Sequence, residues 1–316
     1  MKHSFLLRVL SPPLLSVALL MGTLLLAPTS AVAQLGGENL RGDYGMKSGS
    51  QGPPGLYVGN IFYFYSSNTV KDLSGNDLSH VHATVDIFAD AILGSYVTKK
   101  KILGANYGFM VVLPVLNTEL GLPSLNVGSQ TWGLADMYIQ PLALGWHFKR
   151  ADAIAGYAFM APTGRYSAGA NDNTGLGMWS NEFSAGTTFY FDQGKMWHAA
   201  GTGFYEIHTS KQDLDVKTGD IFTLEGGVGR GFLKGYANGG LAYVGQWKVT
   251  EDSGRDVNPL VQGKKGSMFA LGPEVNLPVS KKGIFLGFKY LFDVRSRLAT
   301  SGDYLVLSLT YVKPSK

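Results

Sequence analysis

The run IFLGFKYLFDV at residues 284–294 alternates: Ile284, Leu286, Phe288, Tyr290 and Phe292 fall on one side of an extended chain, Lys289 and Asp293 on the other. Successive side chains of a strand point to opposite faces, so residues two apart share a face. A helix would repeat its apolar positions every three to four residues instead. The stretch YLVLSLTYV at 304–312 repeats the pattern, with Leu305, Leu307, Leu309 and Tyr311 opposing Val306, Ser308 and Thr310. The stretch before sets Phe269, Leu271, Val275 and Leu277 against Glu274 and Asn276. One face of such a strand needs an apolar surrounding, and the other tolerates charge.

Comparable units recur outward from this region. Strands are predicted near 55–66, 81–98, 102–116, 131–148, 151–163, 177–192, 195–210, 219–231, 235–250, 265–279, 283–297 and 302–313. That is twelve, an even number, as bacterial single-chain membrane barrels have. Connections alternate in length. Short ones fall at Lys99-Lys100-Lys101, Lys149-Arg150, Asp192-Gln193-Gly194, Phe232-Leu233-Lys234 and Ser280-Lys281-Lys282. Long ones fall at 66–80, 117–130, 164–176, 210–218 and 251–264, and the last outer connection, 296–301, is shorter. Short periplasmic turns and long outer loops give this alternation and place both termini in the periplasm. The fold class expected is therefore all-β, a transmembrane antiparallel up-and-down barrel. It must close on itself, because an unpaired strand edge cannot sit in hydrocarbon.

Composition agrees. Charged residues make up 16% of the chain, against about 25% for soluble domains. Glycine is abundant at 42 residues, and aromatics reach 12%. Aromatics gather near strand ends, with Trp132, Trp179 and Trp247 toward the long connections and Tyr96, Trp146 and Trp197 toward the short turns, as interfacial girdles do. A soluble ligand-binding barrel would invert the pattern and carry Lys and Glu freely on its polar face. The absence of cysteine excludes disulfides, thiolate metal sites and cysteine nucleophiles.

Residues 1–33 read as a signal peptide: Lys2 and Arg8 supply a positive start, Leu14 to Ala27 an apolar core, and Ala31-Val32-Ala33 a cleavage site before Gln34. Without Lys2 and Arg8 the formal charge of +4 becomes +2 (4 − 2), which is no nucleic-acid footprint. Residues 34–54 form an irregular periplasmic lead, in which Arg41-Gly42-Asp43 is a chance tripeptide, and 55–313 form the barrel. The location expected is the outer membrane. The partners expected are its lipid, a small hydrophobic or aromatic solute, and the barrel-assembly machinery during insertion.

The second strand separates Val85, Ile87, Ala89, Ala91 and Leu93 from Thr84, Asp86, Phe88 and Asp90, and the polar set is assigned to the lumen. The lumen or constriction candidates are Asp86, Asp90, Asp136, Gln140, Glu182, Glu206, Glu225, Glu274, Lys248 and Lys289. The aromatic candidates for contact with a solute are Phe88, Tyr138 and Phe204. Such a polar interior either holds the wall together by hydrogen bonds and ion pairs or selects what passes. No catalytic residue, metal site or cofactor is expected. His198 and His208 share a face but lie roughly 33 Å apart at about 3.3 Å per residue, and His80 and His82 make a weak pair. Gly-x-Ser-x-Gly is absent. The glycines of Gly226-Gly227-Val228-Gly229 and Gly239-Gly240 suit a strongly curved wall or close packing of interior side chains.

Three motifs in order carry a family resemblance: Pro53-Pro54-Gly55-Leu56-Tyr57 running into Tyr63-Phe64-Tyr65-Ser66; Gly133-Leu134-Ala135-Asp136-Met137-Tyr138-Ile139-Gln140-Pro141-Leu142 with Gly145-Trp146-His147; and Ala161-Pro162-Thr163-Gly164-Arg165-Tyr166 followed by Gly169 to Gly177 and Trp179. The chain resembles, over residues 40–313, the phenol meta-pathway degradation proteins, also called SphA-like outer-membrane transporters. The resemblance implies an outer-membrane barrel that takes up hydrophobic compounds. It places Asp136, Tyr138 and Gln140 inward in the fourth strand, where Pro141 implies a bulge or local break. Passive uptake through a polar-lined lumen is the leading expectation. A membrane-embedded, phospholipase-like hydrolase and a structural or adhesive barrel with partner-binding outer loops are the alternatives.

Overall fold

The computed structural model describes residues 37–78, 83–122, 127–170, 172–259, 261–280 and 282–315. The signal peptide, its cleavage site and the His80–His82 pair lie outside the described residues. The strands are β1 (Gly55–Val70), β2 (Thr84–Ile102), β3 (Ala105–Leu122), β4 (Val127–Leu134), β5 (Met137–His147), β6 (Ala151–Ala161), β7 (Ser180–Tyr190), β8 (Trp197–His208), β9 (Ile221–Phe232), β10 (Ala237–Lys248), β11 (Ser267–Ser280), β12 (Ile284–Arg297) and β13 (Thr300–Pro314). Each pairs antiparallel with its neighbours, and β1 closes the ring between β2 and β13, with Asn60 opposite Ile92 on one side and Leu309 on the other.

Thirteen strands make twelve staves. β4 and β5 both pair with β3, β4 along its Val115–Leu122 half and β5 along Asn106–Val112. The expected twelve-strand barrel therefore stands, but its fourth strand is interrupted at Ala135 and Asp136. The expectation had it continuous from 131 to 148. The interruption precedes Pro141, where the β5–β6 register also shifts between Ile139 and Leu142, the bulge that a residue without an N–H imposes. At the break itself, loop backbone takes the place of a strand neighbour: Gly164 N donates to Asp136 Oδ1 (2.9 Å) and Leu176 N to Oδ2 (2.6 Å).

Two connections differ from expectation. Lys99, Lys100 and Lys101 belong to β2, and the turn lies at Leu103 and Gly104, with φ of 51° and 82°. Two-residue hairpins favour positive φ at both central positions, because that twist matches the strands. Most of the expected 117–130 loop is strand, with Thr118 paired to Thr131 and Gly121 to Gly128.

Three site assignments on β2 are corrected. Val85, Ala89 and Ala91 are buried in the lumen, whereas Ile92 is 58% exposed on the outer wall. Asp86, Phe88 and Asp90 share the face of Ile92, so they point outward. Phe88 stacks there with Phe64 (4.9 Å between centroids) and Trp132 (6.4 Å). Asp90 accepts from Asn60 Nδ2 (2.6 Å). Polarity misleads here because the lumen beside β2 is apolar, so both faces carry apolar side chains. On β11, β12 and β13 the expected faces hold, with Glu274, Lys289 and Val306 buried and Val275, Phe288 and Leu309 exposed.

The added methyl of Gly104→Ala would meet nothing nearer than Trp146 Nε1, at an ordinary contact distance of 4.0 Å, so only the left-handed backbone opposes it. Urea unfolding in detergent should show a loss of about 1–2 kcal/mol.

Candidate functional site: a filled lumen and its residual cavity

The segment expected as a periplasmic lead lies inside the barrel. Residues 38–51 hold no regular structure beyond turns such as Ser48 N to Gly45 O (2.8 Å). Such a backbone leaves amides that need other acceptors. Carboxylates on the barrel wall supply them. Glu206 Oε2 accepts from Glu38 N (2.8 Å) and Asn39 N (3.2 Å). Glu225 accepts from Gly42 N (2.6 Å) and Tyr44 N (3.0 Å), and Glu274 from Met46 N (2.8 Å). Glu182 accepts from Asn39 Nδ2 (2.7 Å). Lys289 Nζ donates to the carbonyls of Gly42 (2.5 Å) and Tyr44. Four wall glutamates and one lysine, from β7, β8, β9, β11 and β12, thus hold one peptide. Hydrogen bonds to ionised groups are the strong ones, and a carboxylate buried without them is costly.

Both ends of the segment are tied. At the outer end Ser180 Oγ donates to Glu38 Oε1 (2.8 Å) and lies 2.9 Å from His208 Nδ1. Lower down, Arg41 donates to Tyr304 Oη (3.1 Å), which donates to Asp293 (3.0 Å). At the periplasmic mouth Ser50 Oγ donates to Asp152 Oδ2 (2.9 Å), and Asp152 also takes Tyr190 Oη (2.6 Å) and Lys195 Nζ (3.1 Å). The strand glycines make room for this peptide. A Cβ on Gly227 would lie 2.9 Å from Met46 Cα, and one on Gly229 2.4 Å from Met46 Sδ.

The structure brings Glu182, Glu206, Glu225, Glu274 and Lys289 together around the segment. Phe204 packs on Tyr44, with centroids 4.7 Å apart. Gln140 is buried against Gly156, where a Cβ would lie 2.8 Å from its Nε2. Lys248 stands apart near the outer end, paired with Asp252 (2.7 Å). Asp86, Asp90 and Phe88 lie outside the lumen. Sequence reading placed Asp293 on the inward face of its strand without counting it among the lumen candidates, and it missed Asp152 as a lumen acid and Arg41 as a lumen base. The signal for the segment was present: short, glycine-rich and polar, it offers backbone donors to the excess of inward-facing acids.

One space remains. A cavity of about 380 Å³ separates the segment from the β1–β3 wall. Its wall side is apolar, formed by Ile61, Ile87, Ala91, Leu93, Val112 and Leu116. Tyr44 and Arg41 bound it on the segment side, and Tyr138, Glu182 and Asp136 give it a polar end. Tyr138 Oη donates to Glu182 Oε1 (3.2 Å). The cavity also reaches Pro114 and Ala135, at the interrupted stave.

The model of a family described as "Putative MetA-pathway of phenol degradation" matches residues 67–309. In three dimensions the chain is similar to an outer membrane channel from Pseudomonas putida F1, with 12% identity over 87% of this chain and 100% of that one and a TM-score of 0.73. It also aligns with the β domain of the Bordetella autotransporter BrkA (12% identity, 82% and 100% covered, TM-score 0.49). A third match is the monoaromatic hydrocarbon channel CymD (11% identity, 92% and 97% covered, TM-score 0.39). No curated protein matches the chain. The likeness to the Pseudomonas protein establishes the outer-membrane barrel fold.

Replacing Glu206 and Glu225 together by Gln weakens four backbone bonds. Each hydrogen bond to a charged group contributes about 1.5–3 kcal/mol. Amide exchange at Asn39, Gly42 and Tyr44 should therefore accelerate by at least an order of magnitude, while exchange in β11–β13 stays unchanged.

Proposed function

The chain belongs to the MetA-pathway of phenol degradation family, and on that premise we propose that it is a passive outer-membrane conduit for small apolar or aromatic solutes bearing a polar end. The observation that carries this reading is the cavity beside the β1–β3 wall. Its shape fits a flat or compact apolar body against Ile87, Ala91 and Val112, with a hydroxyl-sized group at Tyr138 and Glu182. A lumen tied shut along its axis by carboxylates is a poor pore for bulk polar solutes. The route left to an apolar solute follows the wall to the interrupted stave at Ala135 and Asp136, where it can pass into the membrane. Asp136 holds the crossing loop at Gly164 and Leu176, so it acts as a positioning residue for that exit. Glu206, Glu225, Glu274 and Lys289 hold the segment in place. Gln140 and Phe204 support the wall and Tyr44. The channel character of the similar Pseudomonas protein supports the same reading.

The contact between Ser180 and His208 invites a hydrolase reading, and its chemistry disfavours one. The serine's hydroxyl donates to Glu38 Oε1 and so points away from His208, whereas a general base must accept that proton.

The test is uptake of a radiolabelled monoaromatic by cells carrying the barrel in their outer membrane. Ala91→Trp and Val112→Trp fill the cavity and should lower the uptake rate several-fold, with heat-modifiable migration confirming a folded barrel. Asp136→Ala should alter the rate as well. Uptake indifferent to a filled cavity would sink this reading, and ester hydrolysis lost in His208→Ala would replace it.

A further inference from the structure

We propose that the periplasmic rim of the barrel is an annular binding surface for anionic phospholipid headgroups. The charge on the two ends differs in kind. At the periplasmic end the β2–β3 hairpin exposes Lys99, Lys100 and Lys101, the β5–β6 turn exposes Lys149 and Arg150, and the β9–β10 turn exposes Lys234. The β11–β12 turn adds Lys282, and the end of β13 adds Lys313. Arg230 lies over the rings of Trp197 (5.1 Å) and Phe232 (5.5 Å). Among the described residues of these turns the sole acid is Asp192. Its oxygens are occupied by the amides of Met196 (3.1 Å) and Trp197 (2.6 Å), which hold its carboxyl below the usual range. Lys195 turns inward to Asp152 and does not join the rim.

The outer connections carry both signs, and bases there pair with nearby acids: Lys71 with Asp77, Arg165 with Asp172, Lys248 with Asp252 and Arg255 with Asp215. The asymmetry therefore belongs to one leaflet.

Apolar side chains share the rim with the cations. Leu103 is 85% exposed, and Phe148, Phe191, Leu233 and Tyr236 are exposed as well. A turn that offers an apolar side chain to acyl chains and an ammonium to the phosphate level matches a lipid interface at both depths. Lys and Arg near an anionic leaflet are attracted to it, and the attraction fades within a screening length.

The distribution decides the occupant. Cations occur on four of the five turns and at the β13 end, around the whole circumference. An acidic protein would contact one side, and a free phosphate would need several donors converging on one point. Only a leaflet presents anions all round the ring, so the occupant is an anionic diacyl phospholipid such as phosphatidylglycerol.

The experiment places the full chain in phosphatidylcholine bilayers with spin-labelled phosphatidylglycerol or spin-labelled phosphatidylcholine, and reads the motionally restricted fraction of each. The folded protein should prefer phosphatidylglycerol several-fold. Neutralising Lys99, Lys100, Lys101, Lys149, Arg150, Lys234, Lys282 and Lys313 to Gln should bring the ratio near one, and Lys217→Gln with Lys265→Gln at the outer end should leave it. The unaltered protein supplies an arm independent of refolding: its preference should collapse at about 1 M salt, where the screening length is about 3 Å. Equal association of the two labels at low salt, or a preference that survives neutralisation of the rim, overturns the proposal. Displacement of the labelled lipid by millimolar inorganic phosphate would overturn the leaflet as occupant.

Discussion

An irregular peptide inside a membrane barrel has to find acceptors for its amides, and here the wall provides them as carboxylates. Without the segment, Glu182, Glu206, Glu225 and Glu274 would line a water-filled or empty lumen beside Lys289. Without the glutamates, the amides of Glu38, Asn39, Gly42 and Met46 would lose their acceptors. Each half makes the other tolerable, because a hydrogen-bonded ion in low dielectric is stabilised where a lone one is not. The inward-facing acids on six staves (Asp152, Glu182, Glu206, Glu225, Glu274 and Asp293) have partners on this segment or close beside it.

The rest of the interior follows from that arrangement. The segment lies against β7–β12, where Glu182, Glu206, Glu225, Glu274 and Lys289 point inward among buried apolar residues such as Ile221, Val244, Met268 and Leu291, and Met46 fills the space over Gly227 and Gly229. It stands away from β1–β3, where Ile61, Ile87, Ala91, Leu93, Val112 and Leu116 present an apolar wall. The cavity is what remains between them. A polar half that holds the peptide and an apolar half that holds space divide one lumen between two tasks.

The interrupted stave belongs to the same design. Ala135 and Asp136 leave the ladder where the cavity meets the wall, and the loop bound to Asp136 covers the break. Pro141, a few residues further on, adds a bulge to the same stave and weakens its pairing with β6 just below the break.

What the sequence by itself determined was the wall: twelve staves, short turns against long loops, and the lipid-facing side wherever large apolar residues oppose a charge, as on β11–β13. Period two and turn chemistry are local, so they can be read along the chain. The destination of residues 37–52, the outward turn of Asp86, Phe88 and Asp90, and the break ahead of Pro141 were decided by tertiary structure. Each depends on what lies across the lumen: whether a neighbouring face meets a peptide, a cavity or lipid. That is set by closure of the ring, which brings Glu38 to Ser180 and Gly42 to Glu225 across more than a hundred residues of chain, and no local pattern encodes such a distance.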